Sequence, residues 1–348
     1  MTQTTTTNRQ ILLASRPFGV PKENNFSIKN SPIPFPKDGE VLLRTVYLSL
    51  DPYMRGRMND AKSYADPVGL NEVMVGGSVC KVEQSNHQNY KQGDWVVALG
   101  GWQDYSVING NELLKLDNRM TNPSFALGVL GMPGLTAYMG LLDIGEPKSG
   151  DTVVVAAATG AVGSIVGQIA KLKGCKVIGI AGGDTKCQYA INTLGFDACI
   201  DHKSADLAQK LAAVCTSGID VYFENVGGSI FEAVMPLLNS CARIPLCGLI
   251  SQYNATKLPS GPDRTAQLMA ILLTKRVRMQ GFIVFEDYGH RYAEFSQQMA
   301  SWLLAGKIKY KEHLVEGLEC SINAFIGLLQ GENFGKLVVQ VGPDHLND

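Results

Sequence analysis

The sequence predicts an α/β protein in which a doubly wound parallel sheet of six strands is inserted into a smaller antiparallel, barrel-like β domain. Three observations carry this. A glycine-rich strand–turn–helix stretch at 151–167, DTVVVAAATGAVGSIVG, opens the second part of the chain. Strand-like and helix-like segments alternate over 131–307, the pattern of parallel βαβ units. Before residue 130 only short β-like runs occur, and one more β run closes the C-terminus.

Taken in order, residues 1–130 hold runs such as 41–47 and 95–99, separated by Gly, Pro and Asn. SPIPFPKDGE (31–40) is a turn-rich connector, and 91–94 reads as a tight turn before Trp95. The recurrence of such turns suggests a compact antiparallel domain. From about 131 the strand candidates are 152–157, 176–181, 198–200, 221–224, 243–246 and 278–284, with helices beginning near Ala161, Lys186, Ala205, Ile230, Pro262 and His290. After the last of these helices, ending near Gly306, come one short helix (322–329) and a β run (336–341). A terminal strand without a partner in a six-strand sheet belongs with the N-terminal β domain. The expected domains are therefore 1–130 with 308–348, and 131–307.

The stretch at 151–167 is the strongest local signal. Thr152 to Val155 is a β-branched run suited to a strand buried on both faces, and the chain turns through Thr159-Gly160 toward a helix. Gly160 is expected to permit the tight reversal, Ala158 and Gly163 to keep bulk away from the helix start, and Gly167 to let helix and strand pack closely. Backbone N–H groups there suit a pyrophosphate. Ala158, Thr159, Gly160, Ala161, Val162 and Gly163 are thus candidate cofactor-binding residues; a tight turn that binds nothing is the alternative.

Whole-chain properties exclude other classes. At 348 residues the chain exceeds one ordinary core, and a formal net charge of −1 gives no electrostatic case for nucleic acid or an anionic membrane. The N-terminus, MTQTTTTNRQ, lacks the basic and apolar regions of a secretory signal, and no apolar run reaches the ~20 residues of a membrane span. A cytoplasmic protein is expected. Its eight cysteines show no C-x-x-C spacing, which suits reduced, mostly buried thiols.

Several blocks together carry a family resemblance: Asp51-Pro-Tyr-Met-Arg55, Gly131-Met-Pro-Gly-Leu-Thr-Ala-Tyr138, Ala156-Ala-Ala-Thr-Gly-Ala-Val-Gly163, Glu224-Asn-Val-Gly-Gly228, Cys247-Gly-Leu-Ile-Ser-Gln-Tyr-Asn254 and Asn333-Phe-Gly-Lys336. In order and spacing the chain resembles the zinc-free medium-chain reductases of the leukotriene dehydrogenase/prostaglandin reductase type over nearly its whole length. Ile200-Asp-His-Lys203, Pro262-Asp-Arg264 and Asp287-Tyr-Gly-His-Arg291 bring it nearer the bacterial curcumin-reductase branch. The resemblance implies a GroES-like β-barrel catalytic domain split around a Rossmann domain, and a homodimer formed through the latter. It also implies NADPH-dependent reduction of the carbon–carbon double bond of α,β-unsaturated ketones or aldehydes. Zinc-dependent cousins carry Cys and His ligands in the N-terminal domain, where this chain has only Cys80 and His87, too few for a tetrahedral site.

The strand at 176–181 ends in Ala181-Gly182-Gly183, where an NAD enzyme would carry an acid for the ribose 2′-OH. Asp184 follows only beyond both glycines. Lys186 stands where the family places a lysine on the 2′-phosphate, a charge-assisted contact of about 1.5–3 kcal/mol; NADPH is therefore expected over NADH. His202 replaces the tyrosine of prostaglandin reductases and is expected to add charge to the phosphate site when protonated; a polar loop histidine is the plain alternative. By matching, Gly183, Asn225, Cys247, Gly248 and Asn333 join the cofactor set, Asn225 at a strand end where open α/β sheets bind ligands. For Asn333, turn geometry is an equally good explanation.

Reducing a conjugated double bond puts negative charge on the carbonyl oxygen, so the site needs a hydrogen-bond donor there and a dry, oriented pocket. Tyr253 is the candidate donor, since a phenol with a reference pKa of ~10 stays protonated at neutral pH. Tyr53, behind the Asp51-Pro52 turn, is the second catalytic candidate and a substrate contact facing the nicotinamide. Met132 suits a hinge and a pocket wall alike. Phe282 and Val284 are assigned to the cofactor and Phe285 and Tyr288 to the substrate wall, although core or dimer packing explains all four equally well. The rival readings are a quinone oxidoreductase on the same fold and a catalytically silent NADPH-binding sensor. No metal and no membrane partner is expected.

Overall fold

The computed structural model describes residues 7–257 and 262–344, which divide into two compact units. The first runs up to Leu127 and is completed by Glu312–Asn333 and the chain from Leu337 on; the second comprises Gly128–Lys311 and Phe334–Lys336.

The first unit is built on antiparallel strands. β1 (Thr7–Leu13) and β2 (Phe26–Pro32) pair with each other. β3 (Glu40–Ser49) precedes the short helix α1 (Tyr53–Arg57). β4 (Ser78–Ser85), β5 (Trp95–Ala98), β6 (Tyr105–Asn109) and β7 (Leu114–Lys115) follow.

The second unit opens with α2 (Met132–Met139), which runs on into a π-helical turn at Gly140–Gly145. Strands and helices then alternate. β8 (Thr152–Ala156), α3 (Gly163–Leu172), β9 (Lys176–Ala181) and α4 (Asp184–Asn192) come first. β10 (Ala198–Asp201), α5 (Leu207–Val214), β11 (Ile219–Phe223) and α6 (Gly228–Val234) come next. β12 (Leu238–Leu246), α7 (Thr265–Lys275), β13 (Arg278–Gly281), α8 (Val284–Tyr288) and α9 (Tyr292–Leu304) complete it. The sheet is parallel in the order β10-β9-β8-β11-β12-β13. The first strand is central, and the chain winds outward from it in both directions. That reversal opens a crevice at the C-terminal ends of β8 and β11. β8 can occupy the centre because all five of its residues are buried and three are valines.

The chain returns to the first unit through β14 (Glu312–Glu316), α10 (Ser321–Leu329) and β15 (Lys336–Gln340). β15 pairs with β3, Val338 opposite Ser49, as expected of a strand with no place in the parallel sheet. Phe325 of α10 packs edge-on to Trp102, which itself stacks on Phe26, so the returning segment closes this unit's core.

The expected elements differ from the observed ones in places. The strand expected at 278–284 ends at Gly281, and Val284 begins a helix. Among the described residues β13 is an edge strand paired with β12 alone, and beyond Gly281 Asp287 accepts the Ile283 N–H at 2.8 Å, which starts α8. β12 begins at Leu238, five residues before the expected start, because Cys241 at φ +63° makes a bulge within a polar stretch that does not read as strand. β14 was not expected. Among the described residues no helix is long and apolar enough to cross a membrane, and all eight cysteines are free.

Candidate active site

The crevice begins at the turn after β8. The strained residue there is Ala157, at φ +52°, rather than Gly160, whose φ is not left-handed; the expectation that Gly160 supplies the tight reversal is corrected on this point. Gly160 instead meets Gly335 in a parallel bridge, an approach of two backbones. Gly163 is required by space, since a Cβ there would stand 2.3 Å from the Ala157 carbonyl oxygen. Ala158 is fully buried opposite Gly179 of β9, where a Cβ would lie 2.8 Å from the Ala158 methyl, so both residues stay small. Thr159 is buried, and Ala161 and Val162 are half-buried before the first turn of α3, where the Ser164 N–H donates to the Gly160 carbonyl at 3.1 Å and the Val166 N–H to the Val162 carbonyl at 3.0 Å. Gly167 lies against the ring of Phe196, 1.9 Å from where its Cβ would be, so the close contact is with the loop between α4 and β10 rather than with a strand.

A basic cluster stands at the end of β9. Gly183, at φ +89°, donates its N–H to Asp201 at 2.9 Å, and Lys203 N–H donates to the same oxygen. These two bonds hold the Asp201 carboxyl below its usual range. His202 is solvent-exposed on one side and abuts Gly182 on the other, its Nε2 3.0 Å from the position of a Gly182 Cβ. Desolvation of that packed side lowers its pKa, with Lys203 and Lys186 adding to the effect and Asp201 opposing it. Lys186, in the first turn of α4, is lowered by burial and then by Lys203. A groove of about 360 Å³, lined by His202, Ser204, Ala208, Ser229, Glu232 and Arg264 among others, adjoins this end.

The other side of the crevice is formed by the loops after β11 and β12. Asn225 donates its amide to the Ala156 carbonyl at 2.7 Å, tying the end of β11 to the end of β8. The Tyr253 hydroxyl folds back over the β12 end: Leu249 N–H approaches it at 3.4 Å, and a Gly248 Cβ would lie 3.0 Å from it and 3.6 Å from the Asn225 carbonyl oxygen. Gly248 therefore brings Tyr253 and Asn225 together. Burial, and then Glu224, push the neighbouring Cys247 thiol up to about 12, so it stays a neutral thiol.

The remaining candidates lie elsewhere. Tyr53 begins α1 in the first unit, where burial and then Asp51 push its phenol well above its ordinary value. Met132 is half-buried at the start of α2, its carbonyl accepting the Thr136 hydroxyl at 2.7 Å. Phe282 packs toward Gly140 and Phe223 and meets Tyr288 edge-on; Val284 is buried, and Phe285 is 56% exposed. Asn333 lines a small cavity of the first unit with His313 and Glu332, one residue before Phe334, whose ring lies 4.9 Å from Tyr189 of α4. Glu224, Asp201 and Lys203 were not singled out from sequence, although each lies in a block quoted above. The signal for Glu224 was an acid placed directly before Asn-Val-Gly-Gly at a buried strand end. Among the described residues no group of three or more His, Cys, Asp or Glu could hold a metal ion.

The chain matches known proteins over nearly its whole length. Residues 9–116 match the family model described as the N-terminal domain of oxidoreductase, and 161–304 match that described as zinc-binding dehydrogenase. The chain is 58% identical to the NADPH-dependent curcumin reductase of Escherichia coli (strain K12), over 97% of this chain and 98% of that protein. It is 42% identical to prostaglandin reductase 1 of Rattus norvegicus, over 92% and 95%. The crystal structure of CurA from Vibrio vulnificus in complex with NADPH superposes with a TM-score of 0.94 at 68% identity, covering 97% of this chain and 100% of that one.

Proposed function

The chain belongs to the zinc-free medium-chain reductases of the prostaglandin reductase and curcumin reductase family, and on that basis we propose that it reduces the C=C bond of α,β-unsaturated ketones and aldehydes with NADPH. The residues present fit that cofactor. The turn at Gly163 has no room for a Cβ beside Ala157, and the β9 end offers Lys186, His202 and Lys203 in place of the acid that an NAD enzyme needs. NADPH, when bound, supplies the hydride.

The protein's own residues do the rest. Ala158 to Gly163 cradle the pyrophosphate, while Gly183, Lys186 and His202 take the 2′-phosphate. Asn225, Cys247 and Gly248 line the nicotinamide side, with Phe282 and Val284 behind it. Tyr253 donates to the substrate's carbonyl oxygen as it gains negative charge, and Met132, Phe285 and Tyr288 shape the substrate wall. The cofactor-binding domain is 131–307 and the catalytic domain 1–130 with 308–348. The observation that carries the reading is the place of Tyr253. Its hydroxyl stands at a sheet edge beside Asn225, where a ligand of an open α/β sheet lies.

The protein works in the cytoplasm, in keeping with eight free cysteines, and as a homodimer through the Rossmann domain. In support, β13 is an exposed sheet edge and α7, which carries three Leu, one Ile and one Met, has no buried residue. The test of function is an NADPH-oxidation screen over alkenals, long-chain enones, curcumin and quinones with product identification. Saturated ketones or aldehydes are expected. A semiquinone product, or no turnover on any of them, would contradict the reading.

A further inference from the structure

The loops that carry Asn225 and Tyr253 share one buried group. Glu224 is 1% exposed, and its Oε1 accepts the Val226 N–H at 2.6 Å and the Gly227 N–H at 2.8 Å. Its backbone carbonyl accepts the Cys247 N–H at 2.9 Å and the Gly248 N–H at 3.2 Å. A second row of bonds joins the same loops: Ile250 N–H to the Asn225 carbonyl at 3.2 Å, and both the Ser251 N–H (3.1 Å) and its hydroxyl (2.5 Å) to the Val226 carbonyl.

The carboxyl is needed because the loop it holds is intrinsically loose. Gly227 and Gly228 both adopt left-handed φ, +76° and +60°, and glycine confers no preference for that region over others. Burial raises the Glu224 pKa, the Val226 and Gly227 N–H groups pull it down, and the Tyr222 hydroxyl faces it from the fully buried side of β11. A carboxyl desolvated at such cost serves the two N–H groups it binds.

We propose that Glu224 is the positioning residue of the nicotinamide side of the site: by clamping the Val226–Gly227 backbone it fixes Asn225 and the Tyr253 loop relative to each other. This rests on the functional reading of that edge given above. The test uses the full chain and two probes, NADPH and adenosine 2′,5′-bisphosphate, which carries the 2′-phosphate but no nicotinamide. Glu224→Gln keeps an oxygen for both N–H groups, whereas Glu224→Asp keeps the charge but is one methylene short. Gln should bind both probes as the wild type does. Asp, and Ala where it folds, should weaken NADPH by about fivefold, the equivalent of one lost hydrogen bond. Both should leave the bisphosphate unchanged, and should lower kcat on a simple enone more than they raise its KM. Equal weakening of both probes by Asp, unchanged NADPH binding by Asp, or a loss with Gln as large as with Asp would overturn the proposal. The probe ratio needs no turnover, so a wild type that reduces no enone counts against the functional reading alone.

Discussion

At the scale of single residues, Tyr253 is assigned the charge that develops on the substrate. A donor of this kind is typically worth about 2.7–4 kcal/mol, so Tyr253→Phe should lower kcat by ~10²-fold or more. NADPH affinity, measured by fluorescence titration, should change little, because the loop is joined to that of Asn225 by bonds that the phenol does not make, Ile250 N–H to the Asn225 carbonyl and Ser251 N–H to the Val226 carbonyl. His202 gives a second residue-level outcome. In the free protein its pKa lies below the ordinary value, through desolvation against Gly182 and the charges of Lys203 and Lys186, with Asp201 opposing. A 2′-phosphate beside it favours the protonated form, so the complex titrates higher than the free protein. The NADPH dissociation constant should therefore rise with pH across the interval between the two, starting below ~6.5. His202→Gln should flatten that rise; an identical profile in the variant would remove His202 from the phosphate site.

At the scale of elements, two glycines separate binding from packing. Gly163→Ala drives a Cβ onto the Ala157 carbonyl, a backbone atom that cannot rotate away, so both stability and NADPH affinity should fall. Gly167→Ala meets the ring of Phe196 on the far side of the turn and should cost about 1–3 kcal/mol in urea unfolding while leaving the NADPH affinity of the folded fraction intact. Equal effects of the two on affinity would contradict the division. These positions also mark how far the sequence could be read. Thr152–Ala156 and Lys176–Ala181 are legible because strands buried on both faces are continuous β-branched or apolar runs. The start of β12 is not legible, because its polar residues pair through a bulge at Cys241 that depends on tertiary structure. The end of β13 is hidden for a similar reason: Phe282 and Val284 read as strand until the Asp287 side chain caps the following helix. The role of Glu224 escaped because it lies in backbone N–H groups and in a second loop over twenty residues away, and no local pattern records these.

At the scale of the whole molecule, the parallel sheet ends in an edge strand, β13, preceded by helix α7, whose Met269 and Leu273 are 60% and 78% exposed. A second copy covering that face should give light scattering of twice the 37.6 kDa chain mass, and Met269→Asp with Leu273→Asp should return it to one. A wild type already at single mass would contradict the homodimer. The division of the chain, in which a parallel sheet is followed by a return strand to β3, was legible because the alternation stops near residue 307 and one β run remains. The central claim is conjugate reduction, and the most direct measurement is the fate of the hydride. With NADPH deuterated at nicotinamide C4 and a simple linear enone, the account predicts a saturated ketone carrying the deuterium at the β-carbon. Deuterium on the carbinol carbon of an allylic alcohol, or NADPH consumption without transfer to the enone, would contradict it.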